Sequence, residues 1–168
     1  VDLYPDPVPL FANLKFPTPS GKIELKSESA ASDGHPALPR PSADPRPVAG
    51  SFRLLSPASP WLMNSSYHED PKIAEKVGAE TVLLHPDDAA RLSLQAGDTA
   101  SVSIATGRLS MRIAIGDIVP IGVALAHKSR WPKLLAGRRN INALNPGTKS
   151  DMAESSAVHG IEVTIARA

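Results

Sequence analysis

The 168-residue chain contains no cysteine. That excludes a disulfide scaffold, a thiolate zinc site, an iron–sulfur cluster and a cysteine nucleophile built from this chain alone. Aromatic residues make up only 4%. The core must therefore come from Ala, Val, Ile and Leu, which suits a compact β-rich body. Neither sign of charge dominates: 18 Lys and Arg stand against 17 Asp and Glu, for a formal net charge of +1. Phosphate neutralisation cannot then drive nucleic-acid binding, and no nucleic-acid partner is expected. Long hydrophobic runs are missing as well. The stretch 118–126 is apolar but is broken by Pro120 and Gly122, and a spanning helix needs about 18 residues. No membrane insertion is expected. The chain opens Val1-Asp2-Leu3-Tyr4-Pro5, with no initiator methionine, basic region or apolar signal core. It reads as a piece cut from something longer.

Proline, by contrast, is abundant and unevenly placed. Of 17 prolines, 12 precede residue 61. Proline blocks helix interiors and pushes its predecessor toward extended backbone, so the first third cannot be a helical bundle. Within it, Lys22-Ile23-Glu24-Leu25-Lys26 alternates polar and apolar and predicts a short strand. Residues 27–50 hold almost no large apolar group. They are expected to run extended, in polyproline II form, as a connector. Residues 1–50 thus read as a Pro-rich arm and connector that ends a preceding domain, and 51–168 as a separate domain.

The body carries sharper signals. Phe52 to Leu55 predicts a strand that runs into a loop at Ser56. Trp61 to Ser66 fits strand or loop. Asp70-Pro71 opens a short helix that Gly78 ends, with Asp70 as N-cap and proline in the first turn. Glu80 to His85 is a strand, and Pro86 to Leu92 a second short helix whose Asp87 and Asp88 complement its N-terminus. Thr99 to Ala105 and Leu109 to Ile115 alternate about a tight turn at Thr106-Gly107, predicting a hairpin. Gly122 to His127 is a buried strand, 128–158 is loop-rich with a helical turn at Pro132–Ala136, and Ile161 to Ile165 closes the domain. Short strands, short helices and long loops point to a small β-barrel rather than a doubly wound sheet.

The usual catalytic motifs are absent: no nucleophile elbow, no paired metal-binding histidines on a helix, no Walker or dinucleotide glycine pattern. The cluster His68-Glu69-Asp70 is read as a loop and helix cap rather than a metal site. His127, at the end of an apolar strand, is read as a buried, hydrogen-bonded histidine in preference to a ligand contact. What remains is three loops rich in small polar groups: Ser56–Ser66, His127–Trp131 and Asn140–Ser156. Asn, Ser, Thr and backbone amides suit a polar, phosphate-bearing ligand, though they also make turns. Asp151 could accept two parallel hydrogen bonds from the donor edge of a guanine.

Several stretches together carry a resemblance. They are Phe16-Pro17-Thr18-Pro19-Ser20-Gly21-Lys22-Ile23-Glu24-Leu25, then Leu55-Ser56-Pro57 with Asn64-Ser65-Ser66, His85-Pro86-Asp87-Asp88-Ala89-Ala90, Gln95-Ala96-Gly97-Asp98, and Asn140-Ile141-Asn142-Ala143-Leu144 with Ser150-Asp151. In that order they resemble the C-terminal region of molybdopterin oxidoreductases of the dimethyl sulfoxide reductase family. The resemblance implies a six-stranded double-psi β-barrel with two or three short helices, behind an extended Pro-rich N-terminal arm. It implies a bis(molybdopterin guanine dinucleotide) cofactor carrying molybdenum or tungsten in the full-length enzyme, absent from this fragment. Ser56, Asn64, Ser65, Ser66, Asn142 and Asp151 are its implied cofactor-binding residues. The metal ligand and any iron–sulfur cysteines would lie in upstream domains, so no catalytic or metal-binding residue is assigned here and the fragment alone is expected to be inactive.

The implied partners are those upstream domains of the same polypeptide and iron–sulfur or other electron-transfer subunits. The cytoplasm is favoured over the periplasm. Two departures stand out: relatives commonly carry glycine where this chain has Ser93, and Met152-Ala153-Glu154 replaces a glycine-containing stretch. The competing reading is a freestanding double-psi barrel acting as a protein-interaction module or small subunit, since the barrel recurs in unrelated settings.

Overall fold

The computed structural model describes residues 9–41, 45–150 and 153–168. The chain divides into two compact units, 1–44 and 45–168.

The first unit departs from the sequence expectation in two places. No strand forms at Lys22–Lys26. Ile23 and Leu25 stay 67% and 79% exposed. Alternation alone makes no strand; a ladder partner is needed, and the unit has none among the described residues. The segment instead serves a turn: the Thr18 hydroxyl donates to the Lys22 carbonyl at 2.7 Å, and the Ser20 amide donates to Glu24 Oε1 at 2.9 Å. The connector is also not extended throughout, because it contains helix α1 at Glu28–Ser32. Ser27 caps it, its hydroxyl accepting from the Ala30 amide at 3.1 Å, with Glu28 in the first turn. A Ser-Glu-Ser start followed by two alanines meets helix requirements that overall Pro richness hid.

The second unit is a closed barrel of six strands: β1 (Ser51–Leu55), β2 (Thr81–Leu84), β3 (Thr99–Ile104), β4 (Gly107–Ile115), β5 (Val123–Leu125) and β6 (Ile161–Arg167). They run round the barrel in the order β1-β5-β2-β4-β3-β6. Two pairs are parallel, β1 with β5 and β2 with β4; all others are antiparallel. Parallel neighbours need crossovers, and each of the two parallel pairs has one here. The fold is a double-psi β-barrel. Helices α2 (Pro71–Val77) and α3 (Pro86–Arg91) lie in the connections. Both begin with proline, whose missing N–H costs nothing there.

Alternating side chains fill the interior. Phe52, Leu54, Val82, Leu84, Val102, Met111, Ile113, Val163 and Ile165 are all buried. Each such burial contributes about 1.5–3 kcal/mol. The hairpin forms as its alternation requires, but its loop is Ala105-Thr106, and Gly107 is already in β4, paired with Ile104. Asp88 does more than complement a helix end. It is fully buried and accepts from the Gly122 amide and from Arg91, each at 2.7 Å. It thereby ties α3 to the turn before β5.

Strand directions decide where the loops go. From the pairing, β1, β3 and β5 end at the same pole where β2, β4 and β6 begin. The connections 56–80, 105–106 and 126–160 therefore share one pole, and the other connections take the opposite one. All three polar loops singled out from sequence fall on that first pole.

Candidate functional site

The first two of these loops leave the parallel strands β1 and β5 side by side, and hydrogen bonds continue that pairing outward. The Ala126 amide donates to the Leu55 carbonyl and the Lys128 amide to the Pro57 carbonyl, both at 2.9 Å. The third loop closes over them. The Ser56 hydroxyl donates to the Val158 carbonyl at 3.2 Å, and Asn140 Nδ2 donates to the Arg130 carbonyl at 2.7 Å. His68 joins the first loop to the second, its Nε2 lying 3.1 Å from the Ser129 carbonyl and 3.2 Å from the Trp131 amide.

The polar stretch at 140–145 is shaped by its own asparagines. Asn140 caps a 3₁₀ turn at Ile141–Leu144, its Oδ1 accepting from the Asn142 amide at 3.1 Å. Ile141 and Leu144 are buried in the core, while Asn142 is exposed. The turn rests on the first residue of β4. A Cβ at Gly107 would overlap the Ala143 carbonyl, so only glycine lets this approach occur.

Between these loops lies a cavity of about 130 Å³, lined by Ser56, Lys128, Asn142 and Asn145 with Ile141, Val158 and Ile161. Its lining combines a hydroxyl, an ammonium and two amides with apolar side chains, and no carboxylate lines it among the described residues. Such a lining is suited to a polar ligand carrying negative charge. Of the residues expected from sequence, Ser56 and Asn142 meet here across 86 residues of chain.

Asn64, Ser65 and Ser66 do not line this cavity. They form a separate exposed turn, closed by the Ser66 amide on the Met63 carbonyl at 3.0 Å, with Asn64 in the left-handed region at φ 54°. Asp151 lies outside the described residues. Left-handed non-glycine residues gather at this pole: Asn64, Tyr67, Ser129, Arg138 and Glu154. Strained backbone of this kind persists where surrounding structure over-determines it, and it concentrates at functional sites.

Sequence reading missed Lys128 and Asn145. Their signal was position, inside polar loops already singled out. It also missed Arg130, whose guanidinium donates to the carbonyls of Val77, Gly78 and Ala79 at 2.8–2.9 Å. That caps the C-terminus of α2 and fixes the second loop. Beside it, burial pushes the Glu80 carboxyl above its ordinary range, with Arg130 pulling the other way. Burial likewise holds the Arg130 guanidinium below its usual value, opposed by Glu80. His127 is not buried as expected. It is exposed, with Nδ1 3.2 Å from the Ala58 carbonyl, because β5 stops at Leu125 and leaves it in the loop. His68-Glu69-Asp70 is a loop and cap, Asp70 Oδ1 accepting from the Lys72 amide at 2.8 Å. Among the described residues no cluster of ligating side chains could hold a metal, and no helix is long and apolar enough to cross a membrane.

Residues 52–162 match the family model described as Molydopterin dinucleotide binding domain. The chain belongs to this family. Among curated proteins it is similar to a probable oxidoreductase, YoaE, of Bacillus subtilis (strain 168), at 28% identity over 144 residues. That match covers 86% of this chain and 21% of the relative. Among solved structures it resembles acetylene hydratase from Pelobacter acetylenicus, with a TM-score of 0.78 and 20% identity, over 92% of this chain and 24% of that one. The chain thus spans about a fifth to a quarter of the proteins it matches. The last likeness is one of fold. The family supplies the ligand class, a molybdopterin dinucleotide, and the cavity's hydroxyl, amide and ammonium lining fits part of such a group. Its volume admits one portion, not a whole dinucleotide.

Proposed function

We propose that this chain is the cofactor-binding domain of a molybdenum or tungsten oxidoreductase that uses bis(molybdopterin guanine dinucleotide). The observation that carries the reading is the meeting of Ser56 and Asn142 at one polar cavity, with no carboxylate among its described lining residues, in a domain of this family. When bound, the cofactor would supply the redox-active metal, and the protein would bind, orient and enclose it. Asn142 and Asn145 would present amides, Lys128 would offset negative charge, and Ser56 would keep the cavity wall closed through Val158. The Asn64–Ser66 turn and Asp151 are further proposed contacts. Upstream domains of a longer polypeptide would complete the site and hold the metal ligand, with electron-transfer subunits as partners. The domain alone would have no redox activity.

The test is titration of the 168-residue chain with GMP, followed by amide NMR. Saturable shifts at Ser56, Asn142 and Asn145, weakened roughly tenfold by Asn142→Ala, support the reading. Shifts confined to other surfaces, or none at millimolar GMP, would refute it. Stoichiometric molybdenum recovered with the purified chain would overturn the dependence on upstream domains.

A further inference from the structure

The loop 127–131 carries Lys128 into the wall of the Ser56–Asn142 cavity, and His68, which does not line that cavity, touches the loop from outside. The loop backbone is strained, because Ser129 sits in the left-handed region at φ 80° without being glycine. Such a conformation persists only where neighbouring contacts fix it. On one side the Lys128 amide donates to the Pro57 carbonyl at 2.9 Å. On the other, Asn140 Nδ2 donates to the Arg130 carbonyl at 2.7 Å. The Ser129 carbonyl between them meets one nitrogen among the described residues, His68 Nε2 at 3.1 Å.

That nitrogen is claimed twice. The Trp131 amide lies 3.2 Å from it and offers a proton. An imidazole nitrogen bears either a proton or a lone pair, so it can donate to the carbonyl or accept from the amide, never both. The surroundings decide between them. Ser129 is half-buried and its carbonyl has no other partner among the described residues, whereas Trp131 is exposed and its amide can turn to water. The half-buried carbonyl is the costlier group to leave unpaired. The proton therefore belongs on Nε2.

We infer that His68 is a positioning residue for the ligand site: with its proton on Nε2 it fixes the strained Ser129 carbonyl, and through it the place of Lys128 in the cavity wall. This rests on the Ser56–Asn142 cavity being the cofactor site, to which His68 adds no contact of its own.

Ring ¹⁵N shifts of the 168-residue chain show which His68 nitrogen carries a proton, and a protonated Nε2 is expected. His68→Phe keeps a ring and removes the donor. It should move the Lys128 and Ser129 amides and weaken GMP binding roughly tenfold. His68→Gln restores a donor and should return both readouts toward the parent. Lys128→Gln should weaken GMP binding by a similar factor, and adding His68→Phe to it should cost little more, since the two changes act on one contact. A histidine that only supports the fold would give losses that multiply. If the parent chain does not respond to GMP, the cofactor reading fails, and the ring shifts with the Lys128 and Ser129 amides still decide for or against His68. The inference is overturned by a bare Nε2, by unmoved Lys128 and Ser129 amides in His68→Phe, by His68→Gln behaving like His68→Phe, or by independent losses in the double variant.

Discussion

Replacing Gly107 by alanine tests whether the cavity's asparagine wall rests on β4. Gly107 does not occupy the left-handed region, so alanine can adopt its backbone angles. The entropy of the unfolded chain would by itself favour alanine by about 0.4–1 kcal/mol. The cost must come from collision, and the obstacle is the Ala143 backbone rather than a movable side-chain tip. To make room, the turn at Ile141–Leu144 must lift, carrying Ile141 and Leu144 out of the core, where they are 6% and 0% exposed. Complete exposure of both would cost about 3–6 kcal/mol. Lifting them by half, less the entropy gain, leaves a net loss of about 1–2 kcal/mol. Gly116→Ala is the control, because its new methyl meets only Leu83 Cδ1 at 3.3 Å. That contact can relax, so the change should stay within about 0.5 kcal/mol. Urea unfolding gives both values, and amide shifts at Asn142 report movement of the wall. Equal stabilities for the two variants, with Asn142 unmoved, would refute the claim that glycine sets this contact.

Ser93 ends α3 at φ 55°, with its amide on the Ala90 carbonyl and the Leu94 amide on the Ala89 carbonyl. Ser93→Gly should therefore stabilise the domain by about 1 kcal/mol, read as a shift in urea midpoint, with no change in ligand response. Asp88→Ala removes the acceptor of the Gly122 amide and of Arg91 and should destabilise by about 3 kcal/mol. A loss under about 0.5 kcal/mol would show that the tether contributes little. Glu80 gives a pH signature. Its folded-state value is raised, so its favourable contribution is present in full below the ordinary value of 4.5 and is lost as pH rises through the folded value. Glu80→Gln should match the parent in acid and become the more stable of the two toward neutral pH, which stability curves measured across that range would show.

What the sequence disclosed follows the range of the forces involved. The Asp70-Pro71 and His85-Pro86 helix starts, and the β3–β4 hairpin, depend on residues within a few positions of each other, and they form where those residues sit. Lys22–Lys26 has the same alternation as β3 but no partner among the described residues of its unit, and alternation without a ladder left Ile23 and Leu25 in solvent. The candidate site divides in the same way. Polar loops were visible as composition, but their gathering at one pole depends on strand direction. That direction is fixed by pairings such as Arg53 with Val123 and Phe52 with Val163, each far apart in sequence. The same pairing separates residues that looked alike: Ser56 continues β1 into the cavity wall, whereas Asn64–Ser66, only eight residues on, forms a turn outside it. Lys128 and Asn145 were hidden for the converse reason. Nothing local distinguishes a lysine in a loop from any surface lysine until the Lys128 amide, bonded to Pro57, fixes that loop beside Ser56. A ligand site assembled from three loops on one barrel pole is thus a property of topology, and a single substitution beneath its asparagine turn, at Gly107, should reach it without touching any lining side chain.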